Sequence, residues 1–320
     1  MSMRSMQRGT QSTTLRALAV AIALSGSLAA HGVAIDTGDG SGNTSAPVDD
    51  FGFETVGVAS NRSGVYLGDG WVLTADHVNE QPITFLGLTY LPIAGSGVQL
   101  ENESGNPPDL FVYRIDGFPP VKPAGLASEA PALGEEVFCA GNGLNRAASS
   151  TQWNVNWETS PPPYVYEGYE SPGGRTKRWG RNELSVIGID VEIGSRTTRA
   201  IETVFDENGV PDEAQAWTGD SGGGCFAKRS GVWELVGVMF AQGTFGDPNG
   251  PTLPPPAQPS NTAVYDNTTV VADVFFFRDQ IEALTPAPVP ALSRSGALML
   301  VLLLAALTRA SRFPVTRGRR

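Results

Sequence analysis

The chain has 320 residues, of which 41% are hydrophobic, and its 22 Lys and Arg against 33 Asp and Glu give a formal net charge of −11. This acidic balance argues against nucleic-acid binding, which depends on neutralising phosphates with cationic side chains. Two histidines and two cysteines offer few nitrogen or sulfur ligands, so metal catalysis is disfavoured and no cofactor is predicted.

Residues 1–34 have the composition of an export signal. Three arginines precede the apolar run 17–24, and small residues follow it. This order predicts a signal peptide that is removed after Ala29, Ala30 or Ala34, and the sequence does not choose among the three. The protein is therefore expected to be secreted, or held in the envelope or at the surface of a bacterium.

Residues 35–50 are rich in Gly, Asp, Ser and Thr, which predicts a flexible linker. Their carboxylates could bind calcium, but their irregular spacing favours a solvated linker. Residues 51–285 follow as the predicted folded domain, and a length of about 235 residues suits one folded unit.

This domain is predicted to be all-β. Gly68-Asp69-Gly70 separates two apolar runs, 64–67 and 71–73, and that pattern predicts a hairpin. Gly and Pro are abundant between further β-rich runs, as expected for a barrel or sandwich with many turns. Those runs cover 83–88, 136–139, 184–193 and 233–240, and one helix is predicted over 275–284.

One histidine and one serine carry the strongest functional signal. Outside the predicted signal peptide His77 is the only histidine in the sequence, and Ser221 lies in the glycine-rich run Gly219–Gly224. A serine hydroxyl becomes an effective nucleophile when a base, most often imidazole, takes its proton. The glycines allow unusual backbone angles, and successive N–H groups can then point at a developing oxyanion.

The order of the histidine and the serine along the chain distinguishes among the classes of enzyme that activate a serine with a histidine. Gly219–Gly223 fits the G-x-S-x-G pattern of α/β-hydrolases, but that fold places its histidine after the serine and none follows Ser221. The subtilisin order is disfavoured because that family's pattern around the serine is absent. The order His, Asp, Ser remains, and Asp109, at the start of the buried β-run 110–115, fits the acid.

Three segments resemble the chymotrypsin/trypsin-like serine protease family. Trp71–Val78 is similar to the family's W-V-L-T-A-A-H-C, Asp109–Ile115 to D-L-A-L-L-R-L, and Gly219–Gly224 to G-D-S-G-G-P. The chain has Asp in place of the second Ala, Val in place of Cys, and Gly in place of Pro. A weaker match over 271–284 is similar to the family's last strand and C-terminal helix.

The resemblance covers residues 51–285 and implies an all-β fold of two packed six-stranded antiparallel β-barrels with a short C-terminal helix. The boundary between the barrels is expected near 125–132. The implied activity is that of a monomeric serine endopeptidase that hydrolyses protein or peptide substrates.

The resemblance also implies a role for each matching residue. His77 would act as base and then as acid, Asp109 would orient it, and Ser221 would form the acyl-enzyme. The backbone N–H groups of Gly219 and Ser221 would form the oxyanion hole.

The S1 pocket, which holds the substrate side chain before the scissile bond, is located by the same resemblance. Its expected lining is Gln215, Ala216, Ala241, Gln242 and Gly243. The residue at the base, six before the nucleophile, is Gln215, and a neutral amide supplies no charge to pair with Arg or Lys. Strict cleavage after these residues is therefore not expected, unless Asp212 or Glu213 supplies the acid.

The two cysteines are expected to be joined, because the chain is predicted to be exported. Relatives bridge a cysteine four residues before G-W-G to one six residues after the serine. Here G-N-G occupies that place, Cys139 lies two residues before it, and Cys225 lies four after Ser221. The opposite shifts keep the pair face to face on antiparallel strands, so the resemblance implies the same bridge at shifted positions.

Residues 286–320 contain a Pro-rich start, the uncharged aliphatic run 296–307 and an arginine tail. The run is shorter than the about 20 residues that a lipid span needs. The arrangement resembles bacterial C-terminal sorting signals of the exosortase-substrate type; a short transmembrane tail or a disordered tail is the alternative. Attachment to the membrane or cell surface through this segment is one outcome that the arrangement allows.

The sequence leaves two other functions open. A serine esterase or lipase would use the same residues on acyl esters, whereas a surface binding protein on an inactivated protease scaffold would use none of them catalytically. Hydrolysis of casein distinguishes a peptidase from an esterase. Labelling by a fluorophosphonate distinguishes both enzymes from a binding protein.

Overall fold

The computed structural model describes residues 33–102, 105–155, 164–243, 259 and 261–286. The chain divides into two compact units, residues 1–285 and 286–320. The predicted C-terminal segment, apart from Pro286, and the predicted signal peptide, apart from its last two residues, lie outside the described residues.

The described part of the first unit consists of short strands and one α-helix. In chain order the strands are β1 (Ala34–Ile35), β2 (Val56–Ala59), β3 (Arg62–Gly68), β4 (Trp71–Thr74), β5 (Ile83–Phe85), β6 (Leu88–Tyr90), β7 (Val98–Gln99), β8 (Phe111–Arg114), β9 (Glu136–Leu144), β10 (Thr151–Val155), β11 (Tyr164–Glu170), β12 (Arg175–Ile193), β13 (Arg196–Val204), β14 (Ala214–Gln215), β15 (Gly224–Arg229), β16 (Val232–Gly243), β17 (Thr262–Val264) and β18 (Thr268–Asp273). A 3₁₀ turn spans Phe53–Thr55, and the helix α1 spans Val274–Leu284.

Strands β2 to β8 form one antiparallel sheet in the order β6-β5-β2-β3-β4-β8-β7. The sheet curls until its ends meet, because the chain beyond β6 hydrogen-bonds to the end of β8. The N–H of Ile93 donates to the Arg114 carbonyl at 2.7 Å, and the N–H of Asp116 donates to the Leu91 carbonyl at 2.8 Å. Six strands, from β6 round to β8, are thereby joined as a barrel, and β7 adds a short strand beside β8.

The second barrel closes without such a bridge, in the strand order β12-β13-β18-β16-β15-β9. All of its strand pairs are antiparallel. Helix α1 follows β18 directly, and the Asp273 carboxylate caps it by accepting the N–H groups of Phe275 and Phe276 at 3.0 and 3.2 Å. The predicted all-β fold of two six-stranded antiparallel barrels with a short C-terminal helix is confirmed.

Alternate residues of the barrel strands face different cores, as the two-residue period of a strand requires. In β3, Tyr66 packs inside the first barrel with Val72 and Phe85, whereas its neighbour Val65 joins the apolar layer between the barrels. In β16, Leu235 belongs to that shared layer, which also takes in the buried face of α1. The shared layer fixes how the ends of the strands of the two barrels meet.

A disulfide ties two neighbouring strands of the second barrel. Cys139 of β9 lies directly opposite Cys225 of β15, and their sulfur atoms are 2.02 Å apart. Both residues are buried. The predicted bridge is confirmed, at the shifted positions that the register of antiparallel strands allows.

Two predicted strands differ in extent from the observed ones. The run 83–88 is a hairpin of β5 and β6 rather than one strand, because Leu86 and Gly87 adopt positive φ angles of 48° and 77° and reverse the chain. The run 184–193 is the second half of β12, a strand of 19 residues that begins at Arg175. The predicted boundary near 125–132 lies between the end of β8 and the start of β9.

The prediction of a flexible linker over residues 35–50 differs from the structure at its start, where the residues are fixed. Ile35 lies in β1, which pairs with β14 and is buried. The buried Arg146 guanidinium donates to the carbonyls of Asp36 and Gly38 at 3.0 and 2.7 Å, and its carbon lies 4.0 Å from the Tyr169 ring centroid. A Gly- and Asp-rich composition does not show that a distant arginine binds its carbonyls.

No helix in the described part of the chain is long and apolar enough to cross a membrane. The aliphatic run 296–307 lies outside the described residues.

Candidate active site

His77 and Asp109 lie at one end of the first barrel. β4 and β8 are paired neighbours, with Thr74 opposite Phe111, so the turn after β4 meets the residues just before β8. The Asp109 carboxylate accepts the His77 backbone N–H at 3.0 Å and lies 2.8 Å from the His77 Nδ1. Asp109 is only 4% exposed. A carboxylate on Nδ1 holds the proton there and leaves Nε2 as the basic nitrogen.

Ser221 belongs to the second barrel but is anchored on the first. The N–H of Ser63, in β3, donates to the Ser221 carbonyl at 2.9 Å, and the Ser63 hydroxyl donates to the Gly219 carbonyl at 3.0 Å. Thr74, three residues before His77, donates through its hydroxyl to the Ser63 carbonyl at 2.8 Å. The Ser221 segment therefore packs against the end of β4 that leads to His77.

Glycine is required at two positions of this segment. Gly219 and Gly222 have φ angles of 116° and 84°, and a Cβ on Gly222 would overlap the hydroxyl of Thr74. The N–H groups of Gly222 and Gly223 donate to protein carbonyls. Within the described residues, those of Gly219 and Ser221 donate to no backbone carbonyl.

The imidazole Nε2 of His77 is buried and has no hydrogen-bond partner among the described residues. Ser221 is 3% exposed. A buried basic nitrogen without a partner is costly unless a ligand or a reacting group uses it. This atom is therefore open to a ligand or a reacting group, as the predicted role of His77 requires.

The structure places the predicted S1 residues around β18. Gln215 is fully buried in β14, and its side-chain oxygen accepts the Val264 N–H at 3.1 Å. The N–H of Ala216 donates to the Thr269 hydroxyl at 2.8 Å, and Thr269 pairs with Gln242 in β16. The predicted pocket residues before Ser221 and those in β16, including Ala241 and Gly243, are thus both held by strand β18.

Of the two acids that were alternatives for this pocket, Glu213 binds backbone N–H groups of its own turn. The buried Glu213 carboxylate accepts the N–H groups of Asp206 and Val210 at 3.3 and 3.0 Å. Asp212 adopts a positive φ of 59°, and its own N–H donates to the Thr37 hydroxyl at 3.1 Å. Gln215 thus stays the predicted residue at the base of this pocket, with Asp212 as the remaining alternative.

Two contacts from the second barrel reach the His77–Asp109 pair and were missed from the sequence. The Thr198 hydroxyl, in β13, accepts the Asp109 N–H at 2.8 Å. Arg196 forms an ion pair with Asp76, the residue before His77, with its Nε at 2.8 Å from the carboxylate. The Asp in place of the usual Ala at position 76 was the one available signal, but its partner lies 120 residues away.

Asp220, next to Ser221, is a buried carboxyl with few partners. One oxygen accepts the Trp217 N–H at 3.4 Å, and the other has no partner among the described residues. Burial raises the pKa of Asp220 to about 8. Burial likewise raises the pKa of Glu213 to about 8.

These two carboxyls predict how stability changes with pH. An acid with a raised pKa in the folded state stays protonated up to about pH 8, whereas in the unfolded chain it ionises near pH 4 to 4.5. Unfolding then releases protons between these limits, so the free energy of unfolding falls as pH rises through this window. The melting temperature should be higher at pH 5.5 than at pH 8.5. In Glu213→Gln this dependence should be weaker, and in the exposed-site control Glu129→Gln it should be unchanged; an equal slope in all three proteins would contradict the assignment.

Comparisons with known proteins give likenesses of structure alone. No family model matches the chain, and no curated protein matches its sequence. Solved structures to which it is similar include neuropsin, a serine protease expressed in the limbic system of mouse brain, at 17% identity and a TM-score of 0.44, covering 77% of this chain and 99% of that one. Kallikrein-related peptidase 10, in complex with Zn²⁺, has 14% identity and a TM-score of 0.44 over 73% of this chain and 97% of that one. An inactive form of Rv3671c from M. tuberculosis H37Rv has 14% identity and a TM-score of 0.42 over 78% and 95%.

Proposed function

We propose that this protein is an exported serine endopeptidase that hydrolyses peptide bonds through an acyl-enzyme on Ser221. The observation that carries the proposal is the geometry at His77, whose Nδ1 lies 2.8 Å from a buried carboxylate while its buried Nε2 has no partner among the described residues. The segment with Ser221 packs on Thr74, which lies three residues before His77 in the sequence. A nucleophile, a base and an acid that orients the base are the parts that acyl transfer to serine requires.

In the proposed mechanism His77 Nε2 takes the proton of the Ser221 hydroxyl as its oxygen attacks the carbonyl carbon of the scissile bond. The N–H groups of Gly219 and Ser221 stabilise the negative charge that develops on the carbonyl oxygen. The protonated His77 then gives its proton to the leaving amine, and the acyl-enzyme remains. Water attacks the acyl-enzyme with the same base, and the carboxylic acid leaves as Ser221 regains its proton.

The proposed specificity is for uncharged residues before the scissile bond. Gln215 is neutral, and Glu213 binds the N–H groups of its own turn. A basic substrate side chain would therefore enter a buried pocket without a counter-ion, which is unfavourable.

For the proposed export, the burial of the residues that follow the signal peptide favours its removal after Ala29 or Ala30 rather than after Ala34. Val33 and Ala34 are each only 1% exposed. Cleavage after Ala34 would remove both side chains from the core, whereas cleavage after Ala29 or Ala30 would retain them. The disulfide suits an oxidising compartment outside the cytosol.

The test of this function uses the purified mature protein with a fluorophosphonate probe, casein and short acyl esters. We expect covalent labelling at Ser221, mapped by peptide mass, together with hydrolysis of casein. Labelling with hydrolysis of esters alone would show an esterase. Absence of labelling in a folded protein would show that the scaffold is not catalytic.

Thr198 is expected to position Asp109 for the reaction. Thr198→Val keeps the shape of the side chain but leaves the buried Asp109 N–H without an acceptor, at a cost of about 1 to 3 kcal/mol. We expect kcat to fall by about 10- to 100-fold with little change in KM, because a small displacement of the base costs rate rather than binding. Thr198→Ser retains the hydroxyl and should restore most of kcat. A serine variant as slow as the valine variant would assign the loss to packing instead.

A further inference from the structure

Two arginines from different barrels converge on Gly219. Arg175, at the start of β12, donates to the Thr218 carbonyl, and its guanidinium lies against the Cα of Gly219. Arg62, at the start of β3, donates to the Asn61 carbonyl at 3.2 Å, and that carbonyl oxygen lies 2.9 Å from where a Cβ of Gly219 would be. The two cations thus flank the backbone beside Ser221.

Neither arginine forms an ion pair with a carboxylate within the described residues. Each guanidinium has five N–H donors, and the described residues accept a hydrogen bond from only one donor of each arginine. Burial, and then the positive charge of Arg175, lower the pKa of Arg62, which agrees with two like charges held close together. Half-buried like charges without an anion are unfavourable, so a bound anion would relieve them.

Asp220 does not supply that anion. Within the described residues the Asp220 carboxylate forms no ion pair with Arg62, Arg175 or the buried Arg178. The carboxyl is completely enclosed, and burial favours its neutral, protonated form. The guanidinium donors that no described residue accepts are therefore left for a ligand.

We propose that Arg62 and Arg175 form an anion subsite that binds a carboxylate side chain of the peptide substrate, close to the scissile bond. This rests on the proposed function, because Gly219 and Ser221 are the residues that would hold the reacting carbonyl. A guanidinium binds a carboxylate through two parallel N–H···O bonds, which places the substrate as well as attracting it. The substrate class is thus peptides with Asp or Glu near the bond that is cut.

The net charge of the whole chain does not favour acidic peptides, so only a local site can produce a preference for them. A net charge of −11 repels acidic peptides at long range. A preference for them therefore has to come from a local site. Such a preference should weaken as salt screens the contact with the two arginines.

The test compares pairs of peptides that differ only by Asp or Asn, or by Glu or Gln, at each position on both sides of the scissile bond. The readout is the ratio of kcat/KM for the acidic peptide to that for its amide. In the unchanged enzyme we expect a ratio of about 10 at one or more positions, because a charge-assisted hydrogen bond contributes on that scale. The ratio should decline between low and high salt, a measurement that needs no variant.

Arg62→Gln should reduce the ratio, and Arg62→Gln combined with Arg175→Gln should bring it close to 1. Arg199→Gln combined with Lys228→Gln removes two cations elsewhere, each paired with an exposed carboxylate, and should leave the ratio unchanged. A ratio near 1 in the unchanged enzyme, or one that survives the Arg62 and Arg175 changes, would overturn the subsite while the peptidase assignment stands. Failure to cleave any peptide would overturn both.

Discussion

Replacing either Ser221 or His77 by alanine is expected to lower kcat/KM for peptide hydrolysis by about four orders of magnitude or more. Ser221→Ala removes the atom that would form the acyl-enzyme, and His77→Ala removes the base that would take its proton. No other histidine lies downstream of residue 31 to substitute for His77. Initial rates on a peptide substrate, with far-UV circular dichroism to verify folding, measure the effect.

The double variant is the sharper part of this experiment. When residues act as one catalytic unit, removing one of them abolishes nearly all of the enzyme's activity, so the second change should add little.

The Asp109→Asn variant should also be strongly impaired, since an amide in place of the carboxylate no longer fixes the Nδ1 proton of His77. Independent, multiplying losses in Ser221→Ala and His77→Ala would show that the two residues do not work together, and substantial activity in His77→Ala would refute the mechanism.

Removing the disulfide is expected to lower the free energy of unfolding by about 2 to 5 kcal/mol. Cys139 and Cys225 are 86 residues apart in sequence, so their bridge restricts a long loop of the unfolded chain. Cys139→Ala combined with Cys225→Ala avoids placing a hydroxyl in the buried site that both side chains occupy. Urea unfolding followed by tryptophan fluorescence gives the midpoint and the slope.

A matched measurement on the reduced protein separates the bridge from the side chains. The reduced protein and the double alanine variant should lose similar stability if the bridge itself is responsible. Because Cys225 lies four residues after Ser221, fluorophosphonate labelling should disappear at a lower temperature in both. Unchanged unfolding midpoints would contradict the expected contribution of the bridge.

The parts of the fold that were predicted from sequence are those set by contiguous residues. The hairpin around Gly68-Asp69-Gly70 has a local turn signal, the helix near 275–284 lies in one contiguous segment, and both are present. The motifs with His77 and Ser221 also lie within a few residues each. The order of these motifs along the chain is what predicts the fold.

The parts that were missed depend on residues far apart in sequence. The Arg196–Asp76 ion pair and the Thr198–Asp109 hydrogen bond join the two barrels, and no local pattern encodes such contacts. The β5–β6 hairpin was missed because Leu86 adopts a positive φ, which apolar residues seldom do. Strand β1 was missed because its neighbours have the composition of a linker.

Strand β1 has a consequence for the time course of folding. Ala34 pairs with Gln215, a contact across about 180 residues, so closing it costs the chain more entropy than closing the local hairpins. A two-residue strand gains little from pairing on its own, and such long-range contacts tend to form late. The N-terminal end of the domain would thus be among the last parts to reach its place. Until it does, β14, which ends six residues before Ser221, lacks β1 as its strand partner.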